Sequence, residues 1–232
     1  MGVLSIVATP IGNLEDITLR ALRTLKECTV IYAEDTRVTS KLLARYEIKK
    51  PVQRLDAITE LKKAEEILVR LEAGEHVAFV SDAGTPGISD PGSRLIAAIR
   101  SRVALGEVGQ QITIEAIPGP SALTAALSIS GLGSDGFTFV GFLPHKKGRQ
   151  TALKRIKESD IPVVLYESPH RILKLLKELE DRSMSRVSIA RELTKIHEEV
   201  ISGNIAEVQT YFTDHPDHIR GEFVVIIEAK RK

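Results

Sequence analysis

Three stretches of this chain carry the small, proline-fixed and hydroxyl-bearing residues from which ligand loops are built: Thr9-Pro-Ile-Gly-Asn13, Ser81-Asp-Ala-Gly-Thr-Pro-Gly-Ile-Ser-Asp-Pro-Gly92 and Pro118-Gly-Pro-Ser-Ala122. Each comes directly after a β-branched apolar run, so each reads as the loop leaving the carboxyl end of a strand, where open α/β sheets bind their ligands. Amides left open at such loops and at helix starts suit anions and polar groups. Gly84 and Gly87 admit positive φ or the close approach of a ligand to the backbone, and Asp82 places a carboxylate at the strand's end. Asp90 followed by Pro91 predicts a helix N-cap with proline at the first helical position. Well-made turns use the same residues, but three of them on one rim predict a binding cleft.

Missing patterns narrow the chemistry. No G-x-x-x-x-G-K-[ST] phosphate cradle occurs, and no G-x-G-x-x-G follows the first strand, so nucleotide hydrolysis and hydride transfer lose their usual fingerprints. A G-x-S-x-G nucleophile elbow is also missing. The histidines His76, His145, His170, His197, His215 and His218 have no ligand spacing backed by cysteine or paired carboxylates. His197-Glu-Glu199 resembles a fragment of a metal motif without its second histidine, and no metal is expected. Cys28 is the one cysteine, which rules out an intramolecular disulfide and reads as a small core residue.

The elements that must position these loops alternate. Strands are predicted at Leu4 to Ala8, Val30 to Tyr32, His76 to Ser81 and Ile112 to Ile117, with helices at Leu19 to Leu25, Ser40 to Tyr46, Thr59 to Ala73 and Pro91 to Arg102. That order predicts α/β architecture with a mostly parallel sheet. After a helix over Ser121 to Ile129, strands follow at Phe137 to Phe142, Val163 to Glu167, Val187 to Arg191, Glu198 to Ser202 and Glu222 to Ala229. Helices separate them near Gly148 to Ser159, Pro169 to Asp181 and Asn204 to Phe212. The closer spacing of the later strands predicts hairpins and a mixed sheet. Pro118-Gly-Pro120 breaks regular structure, giving two α/β domains, 1–117 and 118–232.

With 232 residues, 43% apolar and 27% charged, the chain has the make-up of a soluble globular protein large enough for two cores. No apolar run is long enough for a bilayer, and the start runs into a strand without a basic leader, so a cytoplasmic protein with no membrane association is expected. Charge is unevenly spread. Between Phe137 and Lys177, nine basic residues face three acidic ones in a chain whose net charge is +1. A phosphate-facing surface would show that asymmetry, as would helices covered in solvated lysines.

The ligand loops recur in a fixed order with other stretches: Ala33-Glu-Asp-Thr-Arg37, Ile117-Pro-Gly-Pro-Ser-Ala122, Gly141-Phe-Leu-Pro144, Tyr166-Glu-Ser-Pro-His-Arg171, Ala190-Arg-Glu-Leu-Thr-Lys195 and Gly221-Glu222. Over nearly the whole chain this set resembles the ribosomal RNA 2′-O-methyltransferases of the tetrapyrrole-methylase superfamily. The resemblance implies a two-domain α/β methylase of the tetrapyrrole-methylase type with its active-site cleft between the domains. It further implies S-adenosylmethionine as cofactor, a homodimer, and a cytidine in the decoding region of the small ribosomal subunit as target, in free 16S rRNA or the 30S subunit. Superfamily branches that methylate porphyrinoids or a modified histidine carry a G-x-G-x-G-D loop where this chain has Thr9 to Asn13. His145 departs from the small or basic residue that often follows Pro144, which leaves the local charge pH-dependent.

Methyl transfer from a sulfonium is an in-line displacement with a neutral leaving group, so alignment is the enzyme's main task. The cofactor wall is assigned to Pro10, Asp82, Gly84, Ile88, Ser121, Ala122, Phe142 and Leu143, with Asp82 opposite the cofactor's ammonium. Phe142 reads equally as a core aromatic closing a strand. A ribose hydroxyl must lose its proton to attack, and Asp35, Glu192 and Lys195 are the candidate catalytic groups. Glu192 and Lys195 lie three apart, which on a helix is an ordinary surface ion pair. Asp35 and Arg37 equally fit a structural pair. RNA contact is placed on Lys146, Lys147, Arg149, His170 and Arg171. Four tyrosines, six phenylalanines and no tryptophan leave little for a base-stacking platform. Two other readings stand beside this one: methylation of a tetrapyrrole-like small molecule, and a non-catalytic ribosome-binding factor.

Overall fold

The structure, a computed structural model, describes residues 1–106, 112–132, 136–180 and 186–229. The chain divides into two compact units, Met1–Ser121 and Ala122–Lys232. Pro118 to Ser121 belong to the first unit rather than the second, and there the Pro120 carbonyl accepts a hydrogen bond from Thr85 Oγ1 at 3.2 Å.

In the first unit β1 (Gly2–Val7), β2 (Val30–Ala33), β3 (Val52–Arg54), β4 (His76–Val80) and β5 (Ile112–Ile117) form one parallel sheet in the order β3-β2-β4-β1-β5. Successive residues of a strand point to opposite faces, so a sheet covered on both sides needs apolar residues throughout. Leu4, Ile6, Tyr32, Val77 and Phe79 pack against α3 (Glu60–Glu72) and α4 (Ser93–Ala104). Val7, Ile31, Ala33, Ala78 and Val80 pack the other way, on α1 (Leu19–Glu27) and α2 (Thr36–Arg45). Cys28 is fully buried in that second layer, and burial pushes its thiol pKa up to about 11, so the thiol stays protonated and inert.

Three local expectations are corrected. The strand β3, absent from the strands expected above, has only three residues and no alternating pattern. The second helix begins at Thr36 rather than Ser40, because Asp35 is its N-cap and accepts from the Arg37 amide at 2.9 Å. The fourth helix begins at Ser93 rather than Pro91, and its N-cap Gly92 makes no side-chain cap bond. Its cap comes from far away in sequence. The buried carboxylate of Glu60 accepts from the amides of Gly92, Arg94 and Leu95 at 2.8, 2.9 and 2.9 Å, bringing negative charge to the positive end of the helix. Gly92 has φ +128° and sits so close to Phe79 that a Cβ would lie 2.7 Å from its ring.

The second unit is a mixed sheet in the order β6-β7-β10-β8-β9. Its strands are β6 (Thr138–Phe142), β7 (Val163–Glu167), β8 (Val187–Arg191), β9 (Glu199–Gly203) and β10 (Phe223–Ile227). The β6 and β7 strands pair in parallel, while β10 runs antiparallel to both β7 and β8. It follows that β6, β7 and β8 share a direction, and their carboxyl ends lie on one edge. Helices α6 (Arg149–Lys157), α7 (Ile172–Leu179) and α8 (Ile205–Asp214) cover one face, and α5 (Ala122–Ile129) lies against β10. Asp181, expected in the seventh helix, lies outside the described residues. Among the described residues no helix is long and apolar enough to cross a membrane.

Glu60→Ala leaves three amides of α4 unpaired and is expected to cost about 2 kcal/mol of stability in urea titration, with Glu60→Gln losing less.

Candidate functional site

On the first unit the carboxyl-end loops are laced together. Thr9 and Gly84 exchange both backbone hydrogen bonds, at 2.9 and 3.0 Å. Thr85 reaches Pro120, and Asp82 Oδ1 accepts the Asp35 amide at 2.8 Å. The three loops singled out in the sequence and the Glu34-Asp-Thr36 segment therefore meet on one rim. Gly84 has φ +82°, a backbone conformation that favours glycine, and the place of a Cβ is bordered by the Ile11 side chain at 3.4 Å and the Pro120 carbonyl at 3.7 Å. Pro10 and Gly84 are buried, Asp82 and Ser121 half-buried, and Ile88 exposed.

Beside these loops lies an open cavity of about 560 Å³ lined by Glu34, Asp35, Thr36, Arg37, Arg54, Asp56 and Asp82. Three of its four carboxylates are engaged. Asp35 takes two Arg37 nitrogens at 2.5 to 3.1 Å, and these bonds hold its carboxyl far below the usual carboxylate range. Asp56 is lowered by the amide and hydroxyl of Thr59 and pairs with Arg54 at 2.9 Å. Asp82 holds the Asp35 amide. Glu34 behaves in the opposite way: burial raises its pKa, and the charges of Asp82, Asp56 and Asp35 raise it further. Asp35 is thus a weak proton acceptor, and Glu34, which the sequence reading passed over, is a stronger one. Its signal was its place one residue beyond a buried strand.

The second unit carries the remaining candidates. Ala122 is half-buried at the first position of α5. Phe142 is 54% exposed, with its ring edge against Tyr166, so it is no core aromatic. Leu143 is buried in the core beside it. Lys146, Lys147 and His170 are exposed. Arg149 is not: at 3% exposure it lies under the loop, with Glu178 at 2.7 Å, Glu167 at 3.8 Å and the Pro144 carbonyl at 3.3 Å. Arg171, also largely buried, pairs with Glu167 at 2.7 Å and donates to the Leu143 carbonyl at 3.0 Å. Both arginines brace the basic loop from beneath and do not present their charge to a ligand.

Glu192 and Lys195 lie in a turn after β8 rather than on a helix, with φ +49° at Glu192 and +65° at Thr194. Lys195 Nζ bonds Glu192 at 2.9 Å and Glu222 at 3.2 Å, and Glu192 also accepts the Glu222 amide at 3.2 Å. This fit requires Gly221, since a Cβ there would fall 1.8 Å from Glu192 Oε1. The Ala190-to-Lys195 and Gly221-Glu222 segments thus form one cluster. Burial pulls the Lys195 pKa down, but the bonds to Glu192 and Glu222 outweigh it and raise the net value. Burial likewise pushes Glu192 up, and Lys195 and the Glu222 amide bring it below its ordinary value. Lysine and carboxylate are held charged. Among the described residues no group of three or more His, Cys, Asp or Glu is placed to hold a metal ion.

Comparison with known proteins gives three findings. Residues 3–209 match the family model described as Tetrapyrrole (Corrin/Porphyrin) Methylases. The chain is 44% identical to the ribosomal RNA small subunit methyltransferase I of Thermotoga maritima over 99% of this chain and 100% of that one. It is 46% identical to the Borrelia garinii protein of the same name over 97% of this chain and 98% of the relative. Among solved structures, diphthine synthase superposes with TM-score 0.72 at 16% identity, covering 98% of this chain and 90% of the other. The methyltransferase CobJ gives 0.69 at 21%, covering 99% and 95%. At those identities the structural likeness concerns the fold.

Arg149→Met leaves the largely buried Glu178 with only Lys174 at 3.8 Å, while Glu167 keeps Arg171, and is expected to cost about 3 kcal/mol. Lys146→Met, on the exposed loop, should change stability by less than about 0.5 kcal/mol, and chemical denaturation of the two variants separates these outcomes.

Proposed function

Because this chain belongs to the tetrapyrrole methylases and is 44% identical, end to end, to a small-subunit ribosomal RNA methyltransferase, we propose that it methylates the ribose 2′-hydroxyl of a cytidine in the decoding region of 16S rRNA. It is an S-adenosylmethionine-dependent methyltransferase. Full-length identity to the RNA enzymes carries this reading. The tetrapyrrole-methylating neighbours share the fold at no more than 21% identity, so the small-molecule alternative is not favoured.

The residues present fit the donor. S-adenosylmethionine supplies an electrophilic methyl on a sulfonium whose departure leaves a neutral thioether. A cavity with four carboxylates and two guanidiniums has a net negative charge suited to the donor's sulfonium and ammonium. Gly84, at φ +82°, sets the course of the loop beside Asp82, and exposed Ile88 offers an apolar wall. We assign Pro10, Asp82, Gly84, Ile88 and Ser121 to holding the donor on the first unit. The residues' remaining task is to take the hydroxyl proton. Glu34 suits it better than Asp35, whose carboxylate is committed to Arg37, or Lys195, which stays an ammonium. RNA phosphates are assigned to Lys146, Lys147 and His170, with Arg149 and Arg171 beneath them. Exposed Ile129 and Val140 on the second unit are apolar surface that a second copy would cover, in keeping with a homodimer, and a ribosomal substrate points to the cytoplasm.

Incubation with labelled S-adenosylmethionine and 30S particles, free rRNA or a tetrapyrrole precursor tests the reading. Label is expected on RNA at one linkage that resists alkali, because a methylated 2′-oxygen cannot attack its phosphate; label on the tetrapyrrole, or none, refutes it. In single-turnover assays Glu34→Gln should fall furthest among Glu34→Gln, Asp35→Asn, Glu192→Gln and Lys195→Met. A base of raised pKa must lose its proton first, so the wild-type rate should climb as pH rises through that pKa, and Glu34→Gln should lose the limb. Lys146→Met and Lys147→Met should each reduce the slope of log affinity against log salt by about 0.8, whereas Arg149→Lys should leave the slope alone.

A further inference from the structure

Beyond β8 the turn from Glu192 to Glu198 holds an isoleucine in water at the cost of backbone strain. Among the described residues four non-glycine residues have positive φ, and two of them, Glu192 and Thr194, are in this turn. Ile196 follows at 98% exposure, more than any other large apolar side chain among the described residues. Leu19 and Ile58 are also very exposed, but neither sits in a turn with left-handed non-glycine residues.

The turn is fixed at both ends. Leu193 is buried at 6% exposure as its anchor. The Glu192 amide donates to Glu222, the Lys195 amide to Glu192 and the Glu198 amide to Lys195, at 3.0 to 3.1 Å. The Thr194 amide donates to the Glu198 carboxylate at 2.5 Å, which ties that negative charge to the backbone. Lys195 is clamped between Glu192 and Glu222, and buried Arg191 holds the His197 carbonyl at 3.3 Å. A loop that only connected β8 to β9 would need none of this. What the bonds leave projecting is a β-branched side chain restricted at χ1 to few rotamers.

We propose that Ile196 is a wedge that enters the base stack of the RNA beside the target nucleotide and turns that nucleotide out of its helix, an inference that rests on the RNA-methylating function above. An enzyme acting on a stacked nucleotide must extrude it, and rigid apolar side chains inserted at a base step do so. The strand directions favour RNA over a protein partner. Because β6, β7 and β8 run the same way, the turn shares its edge of the sheet with the loops bearing Lys146, Lys147 and His170. An apolar tip and exposed lysines on one edge match a duplex, with phosphates outside and bases within.

The test compares wild type with Ile196→Ser, Ile196→Ala and Ile196→Leu on 30S particles. Wild type is first required to label the RNA; failure there removes the methylation reading and the wedge together, before any variant is read. Ile196→Ser is expected to lower the single-turnover rate at least tenfold while 30S affinity changes less than threefold. S-adenosylmethionine affinity by calorimetry should be unchanged, and Ile196→Leu should return to within threefold of wild type, with Ile196→Ala between. A serine variant within twofold of the wild-type rate overturns the proposal. So does a change in oligomeric mass by light scattering, which would place Ile196 at a contact between copies of this chain, and so does a loss of 30S affinity as large as the loss of rate.

Discussion

A parallel strand cannot be joined to its neighbour by a tight turn, so every strand of the first unit must be followed by a crossover, and all carboxyl ends collect on one edge. That constraint decides where chemistry can be placed. Residues inside the central strands β1, β2 and β4 are buried from both faces, and the loops beyond them are the first positions free to vary. The second unit breaks the parallel rule with β10 and β9, yet β6, β7 and β8 keep a common direction. Its basic loop, its Ser168–Arg171 turn and its strained turn at Glu192 to Glu198 are therefore also gathered on one edge.

Rim loops gain rigidity from polar groups recruited across the fold. Glu60 caps a helix thirty-odd residues away, Asp82 holds the start of α2, and Arg149 and Arg171 grip the carbonyls of the loop that displays Lys146 and Lys147. Each arrangement takes a charged group out of water, which is tolerable only where several hydrogen bonds or an opposite charge meet it. Glu167 Oε2 comes nearest to failing that condition: it has no direct hydrogen bond, and its nearest Arg149 nitrogen, Nη2, lies 3.8 Å away and 2.7 Å from Glu178.

Much of this was legible in the amino-acid order, because periodicity and turn residues report local geometry. The strands at Ile112–Ile117, Val163–Glu167 and Val187–Arg191 lie where their apolar runs place them, and the loops at Thr9, Ser81 and Pro118 meet as their shared composition suggests. What escaped was set by distant partners. Nothing beside Glu60 in the chain marks it as the cap of α4, and Asp90-Pro91 offered a local cap in its place. Arg149 counted as one more cation of a basic segment until its burial beside Glu178 removed it from the surface. Glu34 was overshadowed by Asp35, whose environment, and not its residue type, makes it the weaker base.

The grip of the two arginines on Leu143 and Pro144 also bears on how the protein stays apart from its neighbours in a crowded solution. The β6 strand lies at the border of its sheet, where unsatisfied main-chain groups invite a foreign strand to add on. Just past Phe142 the two next carbonyls are already taken by guanidiniums, and Pro144 has no N–H to donate. The border strand is thus stopped short chemically, so a ladder begun on it by another polypeptide finds no rung to continue.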